Sequence, residues 1–215
     1  AGGFDARSNM SPSTDPTPRN PNALIANQQV LVGTFEYEEE EATSLELGLK
    51  TGLLDGAAEF NVAAFYTQYN DLQISLFDGT LGFNVGNAKE AITMGIEMDG
   101  RWQLTDYLSI GGALAILDFE FTDFKNGQCQ QDQVPTSEDG LYCDYTGMSN
   151  QYVADWSGTF LVGYVRPISP TMGIGMGLDF VFTDNYNPSS NLDPRVEQDA
   201  FVKVNGRIGI GPIDK

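Results

Sequence analysis

The chain has 215 residues, with 30 acidic against 11 basic side chains and no histidine, giving a net charge of −19. That balance repels a phosphate backbone and excludes nucleic acid as a partner, while the absence of His removes His-based triads, His-dependent zinc sites and His-ligated haem. The 24 glycines and the abundance of Tyr, Phe and Trp favour strands and turns over helices.

Period-2 alternation predicts seven strands in chain order. From Ser44 to Lys50, Leu45, Leu47 and Leu49 share one face and Glu46, Gly48 and Lys50 the other. From Glu59 to Tyr69, Phe60, Val62, Ala64 and Tyr66 alternate with Asn61, Ala63, Phe65 and Thr67. The third, Met94 to Gln103, sets Ile96, Met98 and Trp102 against Glu97, Asp99, Arg101 and Gln103, and the fourth sets Leu108, Ile110, Leu114 and Ile116 against Ser109, Gly111, Ala113 and Ala115. A fifth places Trp156, Phe160, Val162 and Tyr164 opposite Asp155, Ser157 and Thr159. The sixth runs from Met172 to Thr183, and the last sets Val202, Val204, Ile208 and Ile210 against Lys203, Asn205 and Arg207.

The longest uncharged stretch, residues 20–35, is interrupted by Asn and Gln, so no segment qualifies as a membrane-spanning helix. A spanning β-strand needs only about 9 to 11 residues with one apolar face, and that option stays open. Links between the strands alternate in length. Short ones fall at 54–56, 104–106 and 166–170, and long ones at 3–41, 78–90, 122–152 and 184–199. In an up-and-down sheet this sorts short turns to one end and long loops to the other, the anatomy of an outer-membrane barrel. The long loops also hold 18 of the 30 acidic residues and 5 of the 11 basic ones, which places the acid at one rim.

Several segments then resemble the barrel of TonB-dependent outer-membrane receptors. They are Gly2-Gly3-Phe4, the strand pair from Ala42 to Lys50 and Phe60 to Thr67 around Leu54-Asp55-Gly56, Asn84-Val85-Gly86-Asn87-Ala88 leading into Gly95-Ile96-Glu97, Trp156 to Tyr164, and Val202 to Gly209. The resemblance implies an all-β fold: an antiparallel up-and-down transmembrane β-barrel of 22 strands, of which this chain supplies about seven as an open curved sheet. It further implies a bacterial outer-membrane location, an N-terminal plug domain and uptake energised through TonB. No plug, TonB-contacting box or terminal aromatic strand is visible, so residues 1–215 are expected to be an internal part of the barrel, with the plug and C-terminal strands outside it. The expected ligand is a ferric siderophore, with cobalamin, saccharides and other large nutrients as alternatives, and TonB would be reached through the N-terminal region not seen here. Two rival readings are a passive porin-type barrel and a secreted, acidic, all-β carbohydrate-binding module.

On the barrel reading, Leu47, Ile96, Met98, Ile110, Phe160, Ile174 and Leu178 face lipid, and Trp102, Tyr107, Trp156 and Tyr164 form aromatic girdles at its boundaries. Glu46, Lys50, Glu97, Asp99, Arg101, Lys203 and Arg207 are expected to line the lumen, either touching the plug or solute path or satisfying one another between strands. In a sandwich, Leu45, Ile96 and Ile174 would instead face a common protein core. Cys129 and Cys143 lie in the third long loop and suit a disulfide made in an oxidising compartment. Glu36, Glu38, Glu39, Glu40 and Glu41 surround Tyr37 and are read as a solvated, self-repelling run, the alternative being a divalent-cation or cationic-ligand site. No nucleophile elbow, P-loop or paired-carboxylate arrangement is present, so no enzyme activity, catalytic residue, metal site or cofactor is expected. The loop at residues 122–152 is expected to lie outside the hydrogen-bonded strands and to carry ligand-binding surface.

Overall fold

A computed structural model describes residues 3–4, 36–77, 83–138, 140 and 142–212. Two short strands, β1 (Gly3–Phe4) and β2 (Glu36–Tyr37), pair with each other. The other seven form one sheet: β3 (Glu41–Leu53), β4 (Ala58–Phe77), β5 (Phe83–Gln103), β6 (Leu108–Asp123), β7 (Trp156–Pro167), β8 (Met172–Thr183) and β9 (Phe201–Pro212). Each pairs antiparallel with its sequence neighbour, in the order β3-β4-β5-β6-β7-β8-β9. No parallel pair occurs among the described residues, whose only helical pieces are 3₁₀ turns at Leu54–Gly56 and Pro194–Val196. The seven strands are those the alternation predicts, their neighbour-to-neighbour order is the one the loop lengths imply, and the open sheet is the one the resemblance implies. Gly2 of the segment likened to an upstream strand lies outside the described residues, and Gly3 and Phe4 belong to the small pair rather than to the large sheet.

Register carries the alternation across the whole sheet. Leu49, Val62, Met98, Leu114, Gly158, Phe182 and Val202 form one row of the apolar face, and Lys50, Asn61, Asp99, Ala113, Thr159, Val181 and Lys203 form the adjacent row of the other. No second layer covers the apolar face among the described residues. Leu47 is 80 % exposed; Ile96, Phe160 and Leu178 are also exposed, and Met98, Ile110 and Ile174 are only partly screened by their neighbours. A sandwich would have buried them.

Two strands run further than the alternation predicts. The link expected at 78–90 shrinks to residues 78–82, because β4 and β5 stay paired past Leu72↔Ala88 and Ile74↔Gly86. The Asn70-Asp71 pair reads as a strand end, and Asp71 does take φ 51°, yet the Asn87 side chain donates to the Asp71 carbonyl at 2.6 Å and holds the kink within the ladder. On β6 the pattern inverts after Ile116. Asp118 and Glu120 occupy the formerly apolar face, while Phe119 and Phe121 turn to the formerly polar one. This second half of β6 meets the only large buried cluster among the described residues: Ala88, Ala91, Phe121, Phe124, Cys143 and Tyr145. The core therefore lies under the β6–β7 loop at the long-loop end, not between sheets.

Candidate functional site

Two parts of the molecule carry its polar chemistry, the polar face of the sheet and the platform at the long-loop end. On the polar face, β3 presents Glu46 and Lys50, β5 presents Glu97, Asp99 and Arg101, and β9 presents Lys203 and Arg207. Strand pairing brings some of these onto partners that the alternation alone did not single out. Arg101 donates from both Nε and Nη2 to Glu59, at 2.8 and 2.7 Å, a bidentate pair across β4 and β5. Arg207 reaches Asp179 at 2.9 Å by lying across Gly177, where a Cβ would stand 2.7 Å from its Cζ. Asn61 donates to Asp99 at 2.9 Å. Glu59, Asp179 and Asn61 share the parity of the predicted residues, which puts them on the same face in the sequence without naming their partners. Lys203 lies over its neighbour Phe201, with Nζ 4.8 Å from the ring centroid. Glu46, Lys50, Glu97 and Asp99 border a shallow groove whose opposite wall is Ser157 and Thr159.

The platform is built from the β6–β7 loop. A disulfide joins Cys129 to Cys143, with Cα atoms 5.0 Å apart, and closing about 15 residues in this way contributes roughly 3 kcal/mol in the loop-entropy account. The loop continues the hydrogen bonding of β6: Gly147 N–H donates to Phe121 C=O and Phe121 N–H to Met148 C=O. Phe119, Phe121, Phe124 and Tyr145 pack in an unbroken run of rings with centroids 4.9–5.3 Å apart. Tyr145 also donates its hydroxyl to the Gln128 carbonyl, and burial pushes its phenol above the usual tyrosine range. The expectation that this loop lies outside the hydrogen-bonded framework is therefore corrected: its inner residues complete the wall's own core.

The β8–β9 loop is tied to the platform. Gln130 Nε2 donates to Leu192 C=O at 3.0 Å and Tyr152 N–H donates to Asn187 C=O at 2.8 Å. Arg195 binds Asp193 at 2.6 Å and lies 4.0 Å from Asp132 of the first loop. Hydrogen bonding from Arg195 holds the Asp193 carboxyl below its usual range, and bonds from Thr146 do the same for Asp144. Lys89 and Lys125 both pair with Asp123. Among the described residues, each cation at this end is thus matched to a carboxylate and the surplus charge is negative.

Within the acidic run, the Glu40 carboxylate and the Glu38 backbone fix the entrance to β3. Glu40 accepts from Gln73 N–H at 2.8 Å, and the Asn87 side chain both accepts from Glu38 N–H and donates to Glu38 C=O. No group of three ligating side chains converges as a metal site among the described residues.

The profile of a family described as TonB dependent receptor-like, beta-barrel, matches residues 6–212. A probable TonB-dependent siderophore receptor, PiuA of Acinetobacter baumannii, is 26 % identical over 194 residues, covering 86 % of this chain and 23 % of that protein. Among solved structures, the ferric yersiniabactin uptake receptor FyuA from Yersinia pestis superposes with a TM-score of 0.59 at 15 % identity, over 81 % of this chain and 23 % of that one. The siderophore receptor PiuA from Acinetobacter baumannii gives 0.57 at 20 % identity, over 81 % and 22 %. The chain thus spans about a quarter of the length of these relatives, and the structural likenesses speak to the fold.

Proposed function

The chain belongs to the TonB-dependent receptor β-barrel family, whose members are transport receptors of bacterial outer membranes rather than enzymes, and from that premise we propose that it forms wall and outer loops of a receptor for energised uptake of a ferric siderophore. The observation that carries this reading is the bare apolar face. Fully burying a Leu or Phe side chain is worth about 1.5–3 kcal/mol, and a contiguous exposed patch of such residues marks an interface with lipid or protein. Its width fits lipid. Leu45 to Leu53 on β3, Met94 to Trp102 on β5 and Leu108 to Ile116 on β6 each span nine residues, the length a tilted strand needs to cross hydrocarbon. Trp102, Tyr107 and Tyr164 stand near the short-turn end of this band and Trp156 at the other, and Asp118 and Glu120 follow directly beyond Ile116.

The opposite face then lines the lumen, with Glu46, Lys50, Glu97, Asp99, Arg101, Lys203 and Arg207 on it. Among the described residues β3 and β9 are the outer strands of the sheet, and since lipid does not tolerate unpaired backbone groups, on this reading the barrel continues past both of them. The plug, the remaining strands and the segment that meets TonB lie elsewhere in the receptor. Uptake of a labelled ferric siderophore by iron-limited cells, with and without TonB, tests the proposal. Transport should be lost without TonB. Equal transport in its absence would place the barrel among passive porins, and no transport of any ferric chelate in either strain would remove the siderophore assignment.

A further inference from the structure

The apolar face is not uniform. Near its short-turn end, Gly100 and Gly112 face each other across β5 and β6, and Phe60, Trp102, Ile110 and Phe160 rise around them to make a groove with almost wholly apolar walls. Further along β7, on the same parity, stands Arg166, opposite Ile174. Its guanidinium carbon lies 5.9 Å from the centre of the Tyr107 ring, Tyr107 and Tyr164 meet edge to face at 6.5 Å, and Val165 N–H donates to the Tyr107 carbonyl. Arg166 is exposed and has no carboxylate within ion-pair distance among the described residues. It is also the only cation that the described strands place on the apolar face.

We propose that this groove and Arg166 together seat one anionic glycerophospholipid of the leaflet at the short-turn end, an acyl chain in the groove and the phosphate on the guanidinium. The inference rests on the reading that the apolar face meets lipid. Geometry and charge select the occupant. From Phe160 to Arg166 is six residues, about 20 Å along a strand rising roughly 3.3 Å per residue. At a tilt of about 45° this becomes roughly 14 Å along the membrane normal, close to half of a hydrocarbon core about 30 Å thick. Arg166 therefore sits at headgroup depth when the groove sits within one leaflet. An unpaired guanidinium offers a phosphate two parallel donors, and the edge-to-face pair of Tyr107 and Tyr164 gives it an amphipathic floor at the interface. A wholly apolar peptide or protein surface would leave that charge unanswered.

Native mass spectrometry of the intact receptor, released from detergent after incubation with phosphatidylglycerol, tests the assignment. The wild-type protein should retain one lipid about tenfold more tightly than Arg166→Gln, and Arg166→Lys should recover part of the difference. Leu114→Trp, which narrows the groove and leaves Arg166 in place, should also weaken retention several-fold. Excess inorganic phosphate should not displace the lipid. Equal retention by wild type and both loss variants, or displacement by phosphate alone, would overturn the proposal. Failure of the underlying membrane reading is seen separately, as a receptor that stays monodisperse without detergent.

Discussion

The ring of Tyr145 lies directly against Gly127: a Cβ built on the glycine would stand 2.7–2.8 Å from three ring carbons. This contact lets the loop close over Phe121 and Phe124, since Gly127 also pairs with Cys143 through both backbone groups. Gly127→Ala should displace the ring and destabilise the loop by about 1–3 kcal/mol, the usual range for overpacking. Limited proteolysis of the intact receptor should then cut within residues 124–155 sooner than in the wild type. An unchanged cleavage rate would mean that the ring can move aside.

Asn87 is a second joint, made of donors as well as an acceptor. Its amide donates to the carbonyls of Asp71 and Glu38, and its oxygen accepts from Glu38 N–H. Asn87→Asp keeps the shape but sets a carboxylate against two carbonyl oxygens, so it should loosen the entrance to β3 more than Asn87→Ala does. Leaving partly buried groups unpaired costs about 1–3 kcal/mol. Faster amide exchange at Glu38 and Gln73, in the order Asp, Ala, wild type, is the expected result; equal rates would deny the joint.

Gly127 and Asn87 both act through long-range contacts that no local pattern in the sequence encodes. Alternation at period 2 made seven strands legible, because one face is apolar from Leu45 to Ile210 and a slip of one residue would invert it. Beyond Ile116 the same rule misleads, for Phe119 and Phe121 answer a loop rather than the solvent outside the wall. The position of that loop depends on long-range contacts such as Tyr145 on Gly127. That these charges share one face of the sheet was legible, but which of them pair was not, since joining Arg101 to Glu59 requires the register of β4 on β5.

Burial raises the Tyr145 phenol above its ordinary value of about 10. A folded value above the unfolded one means that this residue's contribution is complete below about pH 10 and is lost as pH rises toward the folded value. Subtracting the tyrosinate titration of Tyr145→Phe from that of the wild type isolates one phenol, which should ionise later than a free tyrosine. Ionisation at the ordinary value would show that water reaches the hydroxyl.

The pair between Arg207 and Asp179 is open to solvent on the arginine side, with that side chain 69 % exposed. Exposed pairs contribute about 0–1 kcal/mol, so a double-mutant cycle with Arg207→Gln and Asp179→Asn in the intact receptor should give a coupling within that range if water reaches this part of the polar face. Coupling well above it would show that another part of the receptor covers the pair. Gly177→Val should abolish the coupling, because the guanidinium would lose its path.

Whether the platform captures ligand needs a variant that leaves its core in place. Deleting residues 122–152 would remove Phe124, Cys143 and Tyr145 and uncover Phe121 and Ala91, so a loss of uptake would mix binding with damage to the wall. Tyr152 separates the two. Its side chain is well exposed and lies 6.0 Å from Tyr186 of the neighbouring loop, ring centre to ring centre. Its backbone holds φ at 60°, a conformation that glycine adopts without strain. Tyr152→Gly should therefore keep the Tyr152 N–H bond to Asn187 while removing a large aromatic surface from the rim. If this rim touches the siderophore, affinity should fall several-fold, with no change in loop proteolysis and none in transport at saturating ligand. Tyr152→Phe, which keeps the ring, should bind nearly as the wild type does. Wild-type affinity in Tyr152→Gly would take this residue out of the binding surface, and reduced affinity together with faster proteolysis would show that the ring acts by holding the two loops together.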